Sequence, residues 1–557
     1  MGVWEDWLAN KAATRCLLVE AKAYSGAAEV TRYLGTHALV TAPGDTPSNT
    51  IYYPRISGDV SFKREMAEVF LGQTVVSWGG IDIDNRDGEY DSWVNDAWDG
   101  RDITLKLGDP SWAISAFGTI LTGKIERLEV SGDKTLTLYI RDKQLVLDVP
   151  IQDTLLTTGE RTGEPVPLCM GNVRSLTPVL IDTSFLIYQV HDGEINAISA
   201  VYDGGVTLNY QSSTLNGAIN STVTSIVLAS ASAFSVSGVV RIEDEYVAYT
   251  GITTNTLTGC TRGYAGSTAA SHATSTAVDG SDYAKDLVNG KFILGGSPVY
   301  QITCDIQGAK PSTYMTKPGE LLKYMVSTIG PLATGELDTT ALTALDTDAP
   351  YTLGLYVRDR SNLLDECDQV SVSVGGYYGF DRAGDFTCGI LTTPTGTAVV
   401  DFDELEMLGD IEVEIIGPPR WRSRLGYQKC WTVQDRDSLG GSVSDATAAF
   451  LEQEYRTEVS TATGVKVAHL HAADPEREDT LIDTSVNAAT EVARRQTLWG
   501  SQRYVYTIEA FATPFQLDLN DVVSVTDDRY SLNGTKMRVI SIEEWPVESR
   551  IRVGLWK

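Results

Sequence analysis

The sequence predicts a multidomain, mainly β fold with α+β parts. Three observations carry this. Apolar and polar residues alternate with period two in several separate segments, the pattern of half-buried strands. Helical periodicity is confined to 316–395 and to two stretches nearer the C-terminus. Gly (50) and Tyr (25) are abundant while Met is scarce (7), a balance that favours turn-rich β structure over helical bundles. At about 150 residues per domain, the 557 residues allow three or four domains. Apolar residues make up 42% and charged residues 21%, so the chain can bury cores and is not disordered.

The elements follow in order. In 16–151, Ile103, Leu105 and Leu107 share one face of a strand. Leu136, Leu138 and Ile140 share another, opposite Thr135, Thr137 and Tyr139. Turns are predicted at Gly79-Gly80, Asp87-Gly88 and Gly132-Asp133, and 1–151 reads as a β-barrel or sandwich domain. Strand-like, short-looped sequence continues through 165–206. The composition then shifts abruptly. Between 206 and 278 only Arg241, Glu243, Asp244, Glu245 and Arg262 are charged, five in 73 residues, with no Pro and no Lys. Val239 to Ile242 and Tyr246 to Tyr249 read as two strands around a Glu243-Asp244-Glu245 turn. We therefore expect a small Ser/Thr-rich β module, 206–278, inserted into a β connecting domain of 152–205 and 279–315.

From 316 to 395 the period changes to that of an α+β domain. Leu321, Leu322, Met325 and Ile329 form one helical face, with Pro318 near its start and Gly330 past its end. Ala341, Leu342 and Leu345 suggest a second helix, and Leu363, Leu364, Cys367 and Val370 a third. Strands are expected at 352–357 and 386–391. The last domain, 396–557, mixes strands with two helices. One has Ser444 or Asp445 as N-cap and Ala448, Leu451 and Tyr455 inward. The other has Ala489, Val492 and Trp499 inward and ends at Gly500. Strands 522–526 and 537–542 flank a turn at Asn533-Gly534.

Charge and cysteine usage exclude several functions. Lys plus Arg total 44 and Asp plus Glu 74, a net charge of −30. A general affinity for nucleic acid or for an anionic membrane needs clustered cations and is not expected. The seven cysteines include no C-x-x-C pair, so reduced thiols are expected rather than a disulfide framework or zinc ribbon. The N-terminal residues, with Trp4, Glu5, Asp6 and Trp7, do not resemble a signal peptide. No stretch reaches about 20 apolar residues, so no membrane anchor is expected.

His469 and His471 would share a face on a strand, as a two-His metal site requires, with Asp474 or Glu476 as third ligand; the alternative is a polar strand end. Starting at Asp82, the fifth, sixth and twelfth positions of a calcium loop hold Arg86, Asp87 and Trp93, so a solvated hairpin turn is expected instead. Carboxylates cluster at 243–245, 365–366 and 401–414. In the last of these, Ile411, Val413 and Ile415 alternate with Asp410, Glu412 and Glu414, which reads as a half-buried strand with an acidic face. No G-x-S-x-G, P-loop, dinucleotide fingerprint or H-E-x-x-H occurs. No catalytic residue, cofactor or metal is therefore expected. Arg420, Arg422 and Arg424, near Trp421, form one basic patch that would pair with a neighbouring subunit or with the chain's own acidic surface.

The inserted segment carries the sharpest signature. It reads Ile242-Glu243-Asp244-Glu245-Tyr246-Val247-Ala248-Tyr249-Thr250-Gly251, then Leu257-Thr258-Gly259-Cys260-Thr261-Arg262-Gly263-Tyr264-Ala265-Gly266-Ser267-Thr268, then His272. This resembles a small module recurrent in bacteriophage tail proteins, with Ser267 as a one-residue departure before the Thr. Further carriers are Asn85-Arg86-Asp87-Gly88, Gly100-Arg101, Gly171-Asn172-Val173-Arg174, Tyr202-Asp203-Gly204-Gly205 and Leu517-Asp518-Leu519-Asn520-Asp521-Val522-Val523. With these, nearly the whole chain resembles hub proteins at the tip of long non-contractile phage tails (siphophages), which are similar to contractile-tail baseplate hubs.

The resemblance implies a non-enzymatic virion protein at the tail tip, assembled in the bacterial cytoplasm. It implies a homotrimer in which two tube-type β-barrel domains per chain, 1–151 and 396–557, join a six-fold tail tube to a three-fold tip. The implied partners are the tail tube, the distal tail protein, the tape measure protein and the central fibre or receptor-binding proteins. DNA would pass without specific binding, along a wall whose acidity repels phosphate. The alternative is a tail-tip adhesin or carbohydrate-binding protein, in which Tyr246, Tyr249 and Tyr264 stack on sugars rather than serving as core or interface residues. A wall-degrading enzyme is the third and weakest reading.

Overall fold

The computed structural model describes residues 3–10, 12–58, 60–66, 72–76, 79–132, 134–511 and 513–557. It is mainly β with α+β parts, built from several sheets, as the sequence predicts.

The N-terminal region forms a nine-stranded sheet centred on Cys16–Ser25 and Asp102–Gly108. Ala28–Gly35, Ile51–Pro54 and Leu39–Val40 extend it on one side. Gly118–Val130, Thr135–Arg141, Gly79–Asp84 and Ile56–Ser57 extend it on the other. Cross-strand pairs Leu17–Leu107, Val19–Leu105 and Ala21–Ile103 share a fully buried face with Leu136, Leu138 and Ile140, so the alternation in the sequence is realised. Gly79-Gly80 is not a turn, however: it opens the strand Gly79–Asp84. A Cβ on Gly79 would stand 2.6 Å from the Ser61 carbonyl oxygen, so glycine serves close backbone approach here. Gly88 and Gly132 do adopt left-handed turn conformations (φ +71 and +79); Asp133 lies outside the described residues.

Between these strands the chain leaves its own sheet. Phe62–Met66 pairs antiparallel with Leu532–Trp545, placing Lys63 opposite Glu543. Gly72–Val76 pairs with Phe62–Met66 and, in parallel, with Gly376–Phe380. A ten-stranded sheet results, drawing on both ends of the chain and on the α+β region. The expected strands 522–526 and 537–542 are present as Val522–Asp527 and Leu532–Trp545. The turn between them falls at 528–531, where Tyr530 and Ser531 both have φ +56. Asn533-Gly534 instead sits inside the second strand where the register shifts, with Gly534 left-handed at φ +61. The acidic strand Glu412–Ile415 lies at the edge of this sheet with both faces exposed, so Val413 and Ile415 are not half-buried.

The middle of the chain holds a five-stranded and a four-stranded sheet around one core, and an α+β core beside them. The three expected helices are Pro318–Tyr324, continued by a π-turn to Ile329, then Thr339–Asp348 and Leu363–Ser373. Asp338 and Asn362 cap the last two. In the C-terminal region Ser444 is the N-cap of Asp445–Leu451; Tyr455 lies beyond that helix and is only half-buried. The helix Ser485–Trp499 buries Ala488 rather than Ala489, together with Glu491 and Arg495. Among the described residues no helix is long and apolar enough to cross a membrane. All seven cysteines are buried and free.

Buried charge organises that helix. Arg495 is 2% exposed and Glu491 0%. Arg495 bonds Glu491 at 2.6 Å and pairs with Glu478, and its Nη2 donates to the Val372 and Ser373 carbonyls at 2.7 and 3.0 Å. The helix is thereby tied to the α+β region and to the strand Glu478–Asp479. Removing one member of such a set leaves a buried charge uncompensated. Arg495→Met is therefore expected to destabilise the protein by about 3–5 kcal/mol, measured by urea denaturation; Thr497→Ala, on the exposed face, should be near neutral.

Candidate functional site

The inserted module enters and leaves through neighbouring strands. Tyr210–Thr214 pairs with Ala277–Ser281, with Tyr210 opposite Ser281, so the insertion closes on itself. Gly238–Ile242 and Glu245–Tyr249 complete a four-stranded sheet. Ile226–Val227, Thr256–Thr258 and Gly251–Thr253 form a second, three-stranded one. Val240, Ile242, Val247, Tyr249, Leu257 and Val278 give the module its own core. The turn is Glu243-Asp244 alone, with Glu243 left-handed at φ +54; Glu245 already belongs to the strand and is 1% exposed.

Glu245 is the centre of a buried ion cluster. Arg262 grips its carboxylate bidentately, Nε and Nη2 each at 2.7 Å. The backbone N–H groups of Gly263 and Ala270 donate to it at 3.0 and 3.1 Å. His272 Nε2 lies 2.7 Å from the same carboxylate, and its Nδ1 lies 2.8 Å from Glu243. Arg262 also donates to the Asn220 and Ala270 carbonyls, both at 2.6 Å. Burial alone would raise the Glu245 carboxyl, but Arg262, His272 and the two N–H groups outweigh it and hold the group at about 2 against an ordinary 4.5. The recurring E, R, G and H of the signature thus meet in one place and fasten three loops to one strand. Ser267 also has a role: its hydroxyl accepts the Tyr246 N–H at 2.9 Å and donates to the Tyr264 carbonyl at 2.8 Å.

The three tyrosines separate. Tyr249 is 2% exposed and its hydroxyl donates to the Ser235 carbonyl at 3.0 Å, so it belongs to the core. Tyr264 is half-buried and meets Phe185 of the host domain edge-on, ring centroids 5.3 Å apart. Tyr246 is half-buried and faces a cleft between module and host. Burial, with Asp286 beside it, pushes the Tyr246 hydroxyl well above its ordinary range.

The arginine patch is internally paired. Arg420 binds Glu478 at 2.5 Å. Arg422 holds Asp474 through Nε at 3.0 Å and stacks on Trp421 at 4.4 Å. Arg424 reaches the same Asp474 at 2.8 Å. Hydrogen bonding to Arg422, with Arg424 beside it, holds the Asp474 carboxyl below its ordinary range. That pairing commits Asp474, which the sequence offered as a metal ligand. The two histidines are not on a strand either, because His469 terminates the helix Thr463–Ala468 and His471 follows in a turn. Asp82 likewise accepts the Thr137 hydroxyl at 2.6 Å, and Asp87 pairs with Arg55. Sequence reasoning missed the Glu478–Arg495–Glu491 set, although the i,i+4 spacing of Glu491 and Arg495 was its visible signal.

Neither a family model nor a curated protein matches the chain. Among solved structures, the chain is similar to the 43 kDa tail protein of prophage MuSo2 from Shewanella oneidensis at 9% identity, with 98% of each chain covered and a TM-score of 0.39. It is similar to the tail protein from Neisseria meningitidis MC58 at 8% identity, covering 98% of this chain and 97% of that one, TM-score 0.39. A chain from the virion of a native gene transfer agent particle shows 12% identity over 74% of this chain and 91% of its own, TM-score 0.38.

The ion cluster gives a testable pH dependence. The folded Glu245 carboxyl lies below its unfolded value, so its stabilisation is fully present above about pH 4.5 and lost as pH falls towards about 2. Hydrogen exchange should show 206–278 losing protection across that window. Glu245→Gln leaves Arg262 buried without its charge partner and should open the module at neutral pH, at a cost of about 3–5 kcal/mol.

Proposed function

We propose that the chain is a structural, non-enzymatic virion protein, a trimeric hub at the tip of a long non-contractile phage tail. The observation that carries this reading is the presence of two large β-sheets: a nine-stranded one from the N-terminal region, and a ten-stranded one mostly from the C-terminal region with strands Phe62–Met66, Gly72–Val76, Gly376–Phe380 and Phe386–Ile390 added. In this reading they are the sheets of two tube-type domains per chain, and the signature of the inserted module resembles that of phage tail proteins. Three such chains would supply six tube-type domains, matching a six-fold tube to a three-fold tip.

Two further features support a structural role. Glu245, Arg262 and His272 of the module signature are bound to one another in its interior, so their chemistry serves folding. The acidic excess also suits a passage for DNA: counterion release makes a Lys/Arg-lined wall adhesive, and acidic groups repel phosphate at short range. Arg420, Arg422 and Arg424, the one basic cluster in the sequence, are held by carboxylates. In this reading the tail tube, distal tail protein, tape measure protein and central fibre or receptor-binding proteins are the contacting partners.

The test is genetic and structural. Deleting the gene should abolish tail assembly, leaving heads without tails in electron micrographs. Deleting 210–281 alone should leave assembly intact, because its first and last residues, Tyr210 and Ser281, stand opposite each other on paired strands. Normal tails in the absence of the protein would overturn the hub reading.

A further inference from the structure

The Tyr246 cleft has a volume of about 470 Å3 and lies where the inserted module meets its host. Five separate segments build it. The module supplies Tyr246 and, from a second loop, Ala265. The host supplies the hairpin around Asp182 and Ser184, the strands carrying Asp286 and Lys291, and the loop bearing Glu160. That loop is pressed onto the hairpin: Gly159 is left-handed (φ +84), and a Cβ there would stand 2.3 Å from the Ile181 carbonyl oxygen. Asp182 fixes the hairpin tip by accepting the N–H groups of Ser184 and Phe185 at 2.8 and 2.9 Å. The Tyr264–Phe185 contact docks the module against the same tip. The cleft is thus a braced site rather than a gap between two independently moving parts.

Its chemistry is amphipathic. Isoleucines 187 and 293 contribute apolar surface beside the Tyr246 ring. Around them stand three carboxylates, one ammonium and short hydroxyl side chains, an array that accepts and donates hydrogen bonds in several directions. Glu160 is exposed and Lys291 half-buried, and both line the cleft. A lining that mixes tyrosine and isoleucine with carboxylates, hydroxyls and an ammonium matches a sugar ring, which has C–H faces and hydroxyl edges. Three carboxylates stand against Lys291 and against Arg241, which lies 3.8 Å from Asp286, and the remaining negative charge disfavours a phosphorylated, sulfated or uronic polymer. We propose that this cleft binds a neutral glycan segment. The insertion then completes a carbohydrate site whose other walls belong to the host domain. This inference does not rest on the hub reading, since a monomeric protein would carry the same cleft.

The test uses the full chain and saturation-transfer NMR with maltose, cellobiose, lactose and di-N-acetylchitobiose, with a heparin disaccharide as the anionic comparison. Saturation transfer to at least one neutral sugar is expected, and none to the heparin disaccharide. Tyr246→Ala should weaken that binding about tenfold or more. Ser184→Trp, a substitution at an exposed rim position that fills the cleft without touching the module core, should abolish it. No transfer to any of the four neutral sugars, preferential transfer to the heparin disaccharide, or undiminished binding in either variant would overturn the proposal.

Discussion

The backbone pairing of Phe62–Met66 with Leu532–Trp545 is the constraint on which the rest of the architecture depends. It sets Lys63 opposite Glu543, so the two ends of the chain share one sheet, and everything between them is a loop closed by that pairing. Closure entropy grows only logarithmically with loop length, so very long intervening segments cost little more than short ones. Charge reinforces the seam. Arg64, 3% exposed, pairs with Asp518 at 2.6 Å and donates to the Phe380 carbonyl at 3.1 Å. Arg382 grips Glu544 at 2.6 Å and also donates to the Leu517 carbonyl. The N-terminal, α+β and C-terminal regions meet at this seam. A protein that must hold its parts in fixed relation under load gains rigidity from such a weld.

The inserted module follows the same logic at smaller scale. Its first and last strands pair, its core is its own, and a buried carboxylate gripped by arginine fixes its loops. Glu245 with Arg262 and His272, and Glu491 with Arg495, are parallel solutions: each spends a fully buried carboxylate on locking loops or a helix in place. Such groups specify geometry more than they add net stability. The two clusters also explain why an acidic, histidine-containing signature need not signal catalysis. One open cleft lies at the junction of module and host, lined by Tyr246.

The fold was legible where alternation is strict and both neighbours are apolar. Ile103 to Leu107 and Leu136 to Ile140 bury their apolar faces in one core, as their periodicity requires. The low charge density of 206–278 marked a distinct segment, while the strands that close it on itself run from Tyr210 and to Ser281. Glycine was ambiguous: Gly79 permits close backbone approach and Gly534 fills a bulge, yet both read as turns from sequence. The helix face at Ala489 was misread by one position because its buried side includes Glu491 and Arg495, which hydropathy assigns to solvent. Val413 and Ile415 were misread because an edge strand lacks the neighbour that would cover them. The ion cluster was visible as a set of letters but not as a contact, and the cleft was not visible at all, since its walls come from five separate segments.

Cryo-electron microscopy of the purified, assembled protein tests the hub reading most directly. Three chains arranged about one axis, with both large sheets of each chain contributing to a ring of six similar domains around an open channel, is the predicted result. A monomer, or an assembly in which the two sheets of each chain do not share a ring, would contradict it.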